Sequence, residues 1–259
     1  MIELKFQNQI VQIEGGELVS YTVDGYEYIH QKGSPGWRSS DTEMFPIIGP
    51  TADAKFQVQT PRDIAIQDQH GLLREMEYEV VSKTDTEAVL EKKYEARKLI
   101  KNSKFPEKSN KEWLFWTYDF SFKKTFRLTK DGLEVNFTIS GERDMPYMLG
   151  YHPAFKLYSE SPVVVAGDKE ITLKEIMDVG SRALQVPDCT KIVLKDQKEL
   201  HIRTEGFNNF MLWTEVPNMV CIEPITFYPY AVAQTKLHEG FDYLKDEDVN
   251  YRIFISTGN

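Results

Sequence analysis

The chain has 259 residues, 41% hydrophobic and 12% aromatic, enough apolar surface for a core that needs no covalent staple. Its net charge of −9 (40 acidic against 31 basic residues) repels phosphate backbones and anionic lipid, which argues against nucleic acid and membrane as partners. Cys189 and Cys221 make no disulfide framework, and no apolar run approaches the ~20 residues that span a bilayer.

The start, "MIELKFQNQI", has neither a basic n-region nor a long apolar run, so no signal peptide is expected and the cytoplasm is the default location. Period-two alternation then dominates. "IELKF" and "IVQIE" read as strands, and "ELVSYTVDGYEYIH" places an Asp24-Gly25 turn between β-rich arms. "EMEYEVVSKTDTEAVLEKKYE" continues the pattern; "LEKKYEARKLIK" has the charge spacing of a helix but follows directly from a strand-like run. The basic run "KNSKFPEKSNK" at 101–111 reads as a solvated loop without a functional role. "FSFKKTFRLTKDGLEVNFTIS" predicts two long strands joined at Asp131-Gly132, and "KIVLKDQKELHIRTE" and "YRIFIS" add more. There is no fixed-length repeat, low-complexity tract or Gly/Ser linker. The expectation is an all-β fold, one domain over 1–259, built as a large antiparallel β-sandwich.

Three stretches set titratable side chains among apolar or turn residues: "QDQHGLLR" (67–74), "LGYHPAF" (149–155) and "MVCIEPITFYP" (219–229). "MVCIEP" predicts a buried strand in which Glu223 costs several kcal/mol unless paired, with Pro224 ending the ladder just after it. By pattern alone Glu223 is equally an edge carboxylate facing solvent, and His152 equally a core histidine held extended by Pro153, while His70 reads first as a turn histidine before Gly71. His30, His201 and His238 lie in polar contexts and read as surface residues.

Taken in order, the three stretches resemble the aldose 1-epimerases, the galactose-mutarotase-like family. That family has a histidine before glycine, a second before proline in a Gly-Tyr-His-Pro type of motif, and a glutamate in "CIEP"; here these are His70, His152 and Glu223. "FPIIG" at 45–49 and "LWTEVPNMVCIEP" strengthen the resemblance, which spans about residues 40–230. It implies the galactose mutarotase-like supersandwich fold. It departs at Pro50, where the family usually carries an arginine that holds the sugar. Arg74 matches the arginine of a subfamily that includes relatives acting on hexose phosphates. A sugar-binding carboxylate of the family has no fixed counterpart, Asp178 and Asp188 both being candidates. Trp37, Tyr151, Phe155, Trp213 and Phe227 are near enough to the motifs to stack on apolar sugar faces, although most of them read as core residues.

The implied chemistry is mutarotation, the exchange of α and β anomers by opening a pyranose between C1 and O5. A base removes the O1 proton while an acid protonates O5, and closing reverses the roles. The resemblance implies Glu223 as base, His152 as acid, and His70 and Arg74 as substrate-binding residues, with no cofactor and no metal. The expected partner is a small-molecule sugar, an aldohexose or hexose phosphate; Arg74 as a lone matched cation, with Pro50 removing another, favours free aldohexoses. The sequence carries no signal of oligomeric state. Two competing readings remain: a non-catalytic sugar-binding or sugar-sensing protein on the same fold, and a metal-dependent β-barrel enzyme using His70, His152 and Glu223, against which stands the lack of a close His-x-His pair.

Overall fold

A computed structural model describes residues 1–258. Its largest element is a nine-stranded antiparallel sheet. The strands run in the order Lys169–Thr172, Val163–Ala166, Lys191–Lys195, Glu199–Glu205, Val249–Thr257, Gly132–Gly141, Phe120–Thr129, Glu87–Tyr94 and Glu79–Lys83. A six-stranded sheet faces it. There Leu184–Val186, Asn209–Trp213, Met219–Ile225, Gly150–Tyr151 and Glu43–Met44 lie in that order, and Ala154–Lys156 also pairs with Met219–Ile225. The first four strands, from Ile2–Phe6 to Tyr26–Glu27, form a separate antiparallel sheet. The expected all-β sandwich is therefore observed.

Alternation explains which faces meet. Along Phe120–Thr129, Phe122, Phe126 and Leu128 point inward while Ser121, Lys123 and Arg127 do not. Phe45 packs against Phe122 with ring centroids 5.2 Å apart, and Tyr151 meets Phe137 at the same spacing, so aromatic contacts join the two sheets. The inward positions contain two departures from an apolar core, Lys92 and Lys124. The Lys124 ammonium is fully buried between Asp41 (2.8 Å) and Glu43 (2.6 Å), and Asp41 also accepts the Tyr151 hydroxyl. Lys92 donates to the Leu73 carbonyl at 2.8 Å and lies over the Tyr78 ring. A charged knot thus sits inside the sandwich, one residue away from His152.

Local signals behave as their physics requires. Asp24 and Gly25, at φ 51° and 74°, make the two-residue turn between Glu17–Val23 and Tyr26–Glu27. The second hairpin is displaced by one residue from its expected position: Thr129 pairs with Gly132, so Lys130 and Asp131 form the turn and Gly132 opens the next strand. "LEKKYEARKLIK" contains no helix. Ala88, Leu90, Lys92 and Tyr94 alternate inward in Glu87–Tyr94, and period two prevails over the charge spacing. The one α-helix among the described residues, Leu173–Val179, starts at a capping box in which the Thr172 side chain accepts the Glu175 N–H.

Candidate active site

Glu223 lies in the strand Met219–Ile225, every residue of which is buried. Pro224 does not end this strand, contrary to the expectation from sequence; it pairs with Phe210 and the ladder continues to Ile225. The reason lies across the sheet. The N–H groups of Ile222 and Thr226 donate to Pro153 and Leu149, and the missing N–H of Pro224 faces the stretch between them. There the neighbouring chain breaks from Gly150–Tyr151 to Ala154–Lys156 around His152. A proline is tolerated because that position has no ladder partner to lose. In the same gap the His152 N–H turns to the Thr42 carbonyl, and its imidazole reaches Glu223: Nε2 lies 3.3 Å from Oε1.

Gly71 sets the third group. Its φ of +77° and the Phe45 carbonyl, which occupies the space a Cβ would need, both require glycine. His70 precedes it at φ 72°, also left-handed, and its ring comes within 6.0 Å of the His152 ring. His70 Nδ1 accepts the Gly49 N–H at 3.3 Å, so the neutral ring carries its proton on Nε2; Gln69 Nε2 lies 3.2 Å away and is no acceptor for that proton, which is left for an oxygen. Arg74 follows in the turn Leu73–Glu75, and its Nε and Nη2 are buried without a hydrogen-bond partner. All four residues singled out from the sequence (His70, Arg74, His152 and Glu223) line one cavity of about 500 Å³, within the range of small-molecule sites.

The burial of its titratable groups sets their protonation. Burial pushes the Glu223 carboxyl up to about 8, against a smaller opposing pull from Arg74. Burial, reinforced by Arg74, depresses His152 to about 3. His70 is also held well below its ordinary value, by burial first and then by Arg74 and His152. Across the neutral range the Glu223–His152 pair therefore holds one proton, which rests on the carboxyl when no sugar is bound.

Trp37 stacks on His152 with ring centroids 4.2 Å apart, and Trp213 approaches the same ring at 6.0 Å. Of the other aromatics, Tyr151 and Phe155 are core residues and Phe227 is half-buried outside the cavity. Asp178 pairs with Lys174 on the helix surface and Asp188 is exposed on a turn; neither reaches the cavity, where the additional carboxylate is Glu215. His30 is not a surface residue. It is 1% exposed, and its Nε2 lies 2.8 Å from the Trp37 carbonyl, bracing the segment that carries the stacked indole. His201 and His238 are half-buried. The basic loop at 101–111 contributes Lys104 and Lys108 to the cavity lining, which its composition gave no reason to expect. His152, Cys221 and Glu223 offer ligand atoms within 4.8 Å of one another, whereas His70 is outside that group. The metal triad expected under the barrel-enzyme reading is thus not assembled.

A two-sheet sandwich with this site defines a class, and the sequence pattern of the aldose 1-epimerase family matches residues 5–209. The chain belongs to that family. It is 27% identical over 165 residues to the chromosomally encoded protein LacX of Lactococcus lactis subsp. lactis, a match covering 60% of this chain and 50% of LacX. The chain thus spans about half the length of the curated relatives it matches. Among solved structures, it is similar to a galactose mutarotase-like protein from Lactobacillus casei (TM-score 0.80, 18% identity, all of both chains). It is also similar to a galactose mutarotase related enzyme from Lactobacillus acidophilus (TM-score 0.75, 18% identity, 100% of this chain and 97% of that one). At these identities the likeness is one of fold. Glu223 lies beyond the last residue of the family match, so its assignment stands on the "CIEP" motif and the geometry of the cavity.

Proposed function

We propose that the protein interconverts the α and β anomers of an aldohexose or hexose phosphate by acid–base ring opening. The observation that carries this reading is the Glu223–His152 contact of 3.3 Å, between two buried side chains that line a sugar-sized cavity. Mutarotation needs no net proton exchange with solvent: one group takes the O1 proton while its partner gives one to O5, and the reverse transfer closes the ring on the other face. A pair holding a single proton performs both halves.

Glu223 is the base and His152 the acid of ring opening. In the empty site the proton rests on Glu223, so binding must move it across 3.3 Å to the imidazole. Sugar hydroxyls donating to the carboxylate favour that transfer, as does Arg74, whose charge already opposes the effect of burial on Glu223. The unpartnered Arg74 donors and the His70 Nε2–H hold sugar oxygens, and Trp37 fixes the His152 ring plane.

The test is anomer exchange. Freshly dissolved α-D-glucose and α-D-galactose followed by polarimetry, and their 6-phosphates by exchange NMR, should equilibrate faster than the spontaneous rate. Loss of that acceleration in Glu223→Gln and His152→Asn is expected. A wild-type protein that never exceeds the spontaneous rate with any common aldose refutes the enzyme reading and leaves a carbohydrate-binding protein.

A further inference from the structure

The chain is acidic, yet its active-site cavity is not. Five cations line it, Arg38, Arg74, Lys104, Lys108 and Arg182, against two carboxylates, Glu215 and Glu223. Lys104 is matched by Asp68 at 3.0 Å. The other four form no ion pair among the described residues, although 31 basic residues share the chain with 40 acidic ones and ion pairs are common elsewhere on the surface. They come from four separate segments: the loop before Ser40, the turn Leu73–Glu75, the basic loop at 101–111 and the turn Gly180–Arg182. Arg38, Lys108 and Arg182 are exposed at the rim, whereas Arg74 lies deeper with two unpartnered buried nitrogens. Collecting four unmatched cations around one cavity costs mutual repulsion, and an anion in the cavity removes that cost.

We infer that the substrate is an anionic aldose, carrying a phosphate or carboxylate group on the part of the sugar remote from C1. This rests on the epimerase reading in one respect: ring opening requires a free O1 hydroxyl, so the charged group cannot be attached there. C6 extends furthest from the ring and is the position where both phosphate esters and uronic acids place their charge. The catalytic pair addresses O1 and O5, and the rim cations receive the charged end. A phosphate matches them best, because its three acceptor oxygens and near-double charge satisfy several guanidinium and ammonium donors at once. This departs from the expectation of a neutral aldohexose, which counted Arg74 alone.

The experiment compares D-glucose and D-galactose, their 6-phosphates, and D-glucuronate and D-galacturonate by exchange NMR, each corrected for its own spontaneous rate. Binding of glucose and of glucose 6-phosphate to the wild type and to Glu223→Gln is measured by calorimetry. The expected result is a kcat/KM at least tenfold higher for one anionic series than for the parent sugars, shrinking as ionic strength rises. Preference for the 6-phosphates over the uronates identifies phosphate; the reverse identifies carboxylate. The double variant Lys108→Gln/Arg182→Gln should reduce the preference on the order of tenfold, and Lys108→Arg/Arg182→Lys should restore most of it. Thermal melts establish that both variants fold. Equal kcat/KM for neutral and anionic sugars, or a preference unchanged in the glutamine double variant, overturns the inference while leaving the epimerase reading intact. Binding of glucose 6-phosphate well above that of glucose, with no exchange of any sugar, sustains the anionic ligand and refutes the enzyme. Neither exchange nor binding overturns both.

Discussion

Replacing Glu223 with glutamine should make the protein more stable as it makes it inactive, and the gain should depend on pH. In the unfolded chain the carboxyl ionises near its ordinary 4.5, while in the folded protein burial holds its proton to about 8. Between those values the unfolded state binds fewer protons, so stability falls as pH rises through the window. From pH 5 to pH 8 this single group costs the folded state about 3 kcal/mol, at about 1.4 kcal/mol per unit of displacement. Glutamine keeps the shape and does not titrate. The difference in melting temperature, variant minus wild type, should therefore widen by about 6–12 °C between pH 5 and pH 8, since a chain of this size shifts about 2–4 °C per kcal/mol. Differential scanning fluorimetry of the two proteins across that range measures it, and titrating groups remote from Glu223 cancel in the difference. Melting curves that shift in parallel would show that Glu223 ionises normally in the folded protein and would remove the shared-proton argument.

The remaining expectations follow from the same contacts. The acceleration of anomer exchange should decline as pH rises through about 8, when the pair loses its one proton, while an acid limb lies near pH 3; a rate still climbing at pH 9 contradicts this. Glu223→Gln and His152→Asn should each lower kcat by ~10²–10⁴ and be strongly non-additive in combination, with His70→Asn losing less. Additive losses would mean that the two residues act in separate steps. Lys124→Met leaves Asp41 and Glu43 buried without their cation and should cost about 3–5 kcal/mol in urea denaturation, much of it recovered by adding Asp41→Asn and Glu43→Gln. A loss below about 1 kcal/mol for the single substitution would contradict the buried ion-pair account.

The sandwich was legible because two signals agreed along most of the chain. Alternation placed Phe122, Phe126 and Leu128 on one face, and Asp-Gly pairs marked hairpins to within a residue. The cavity was legible only at His70, Arg74, His152 and Glu223, where short motifs have a local cause: a left-handed turn that needs Gly71, and a strand gap that accommodates both Pro153 and Pro224. Pro224 itself was misread, because whether a proline ends a strand depends on the partner strand. Lys124 and Lys92 occupy inward positions that alternation marks as core, and what holds them, Asp41 and Glu43 for the first and the Leu73 carbonyl for the second, lies elsewhere along the chain. The rim cations had no motif at all. Arg38, Lys108 and Arg182 are ordinary surface residues in their own segments and become a group only when the fold collects them. His30 escaped notice because its role is to donate its Nε2–H to a backbone carbonyl, and no side-chain pattern records that.

The strand Val249–Thr257 lies in the middle of the nine-stranded sheet, between Gly132–Gly141 and Glu199–Glu205. Leu133 must wait for Ile255, and Ile202 pairs with that same residue from the other side. During synthesis each of those flanking strands emerges with an unpaired edge and keeps it until the closing strand arrives. The nascent chain is thus open to pairing with another copy from the emergence of Gly132–Gly141 until Val249–Thr257 follows, and its folding rate should carry the penalty of high contact order. Loss of the closing strand would split the large sheet into two halves with raw edges, so for this architecture a late truncation should yield aggregates in place of a slightly shortened protein.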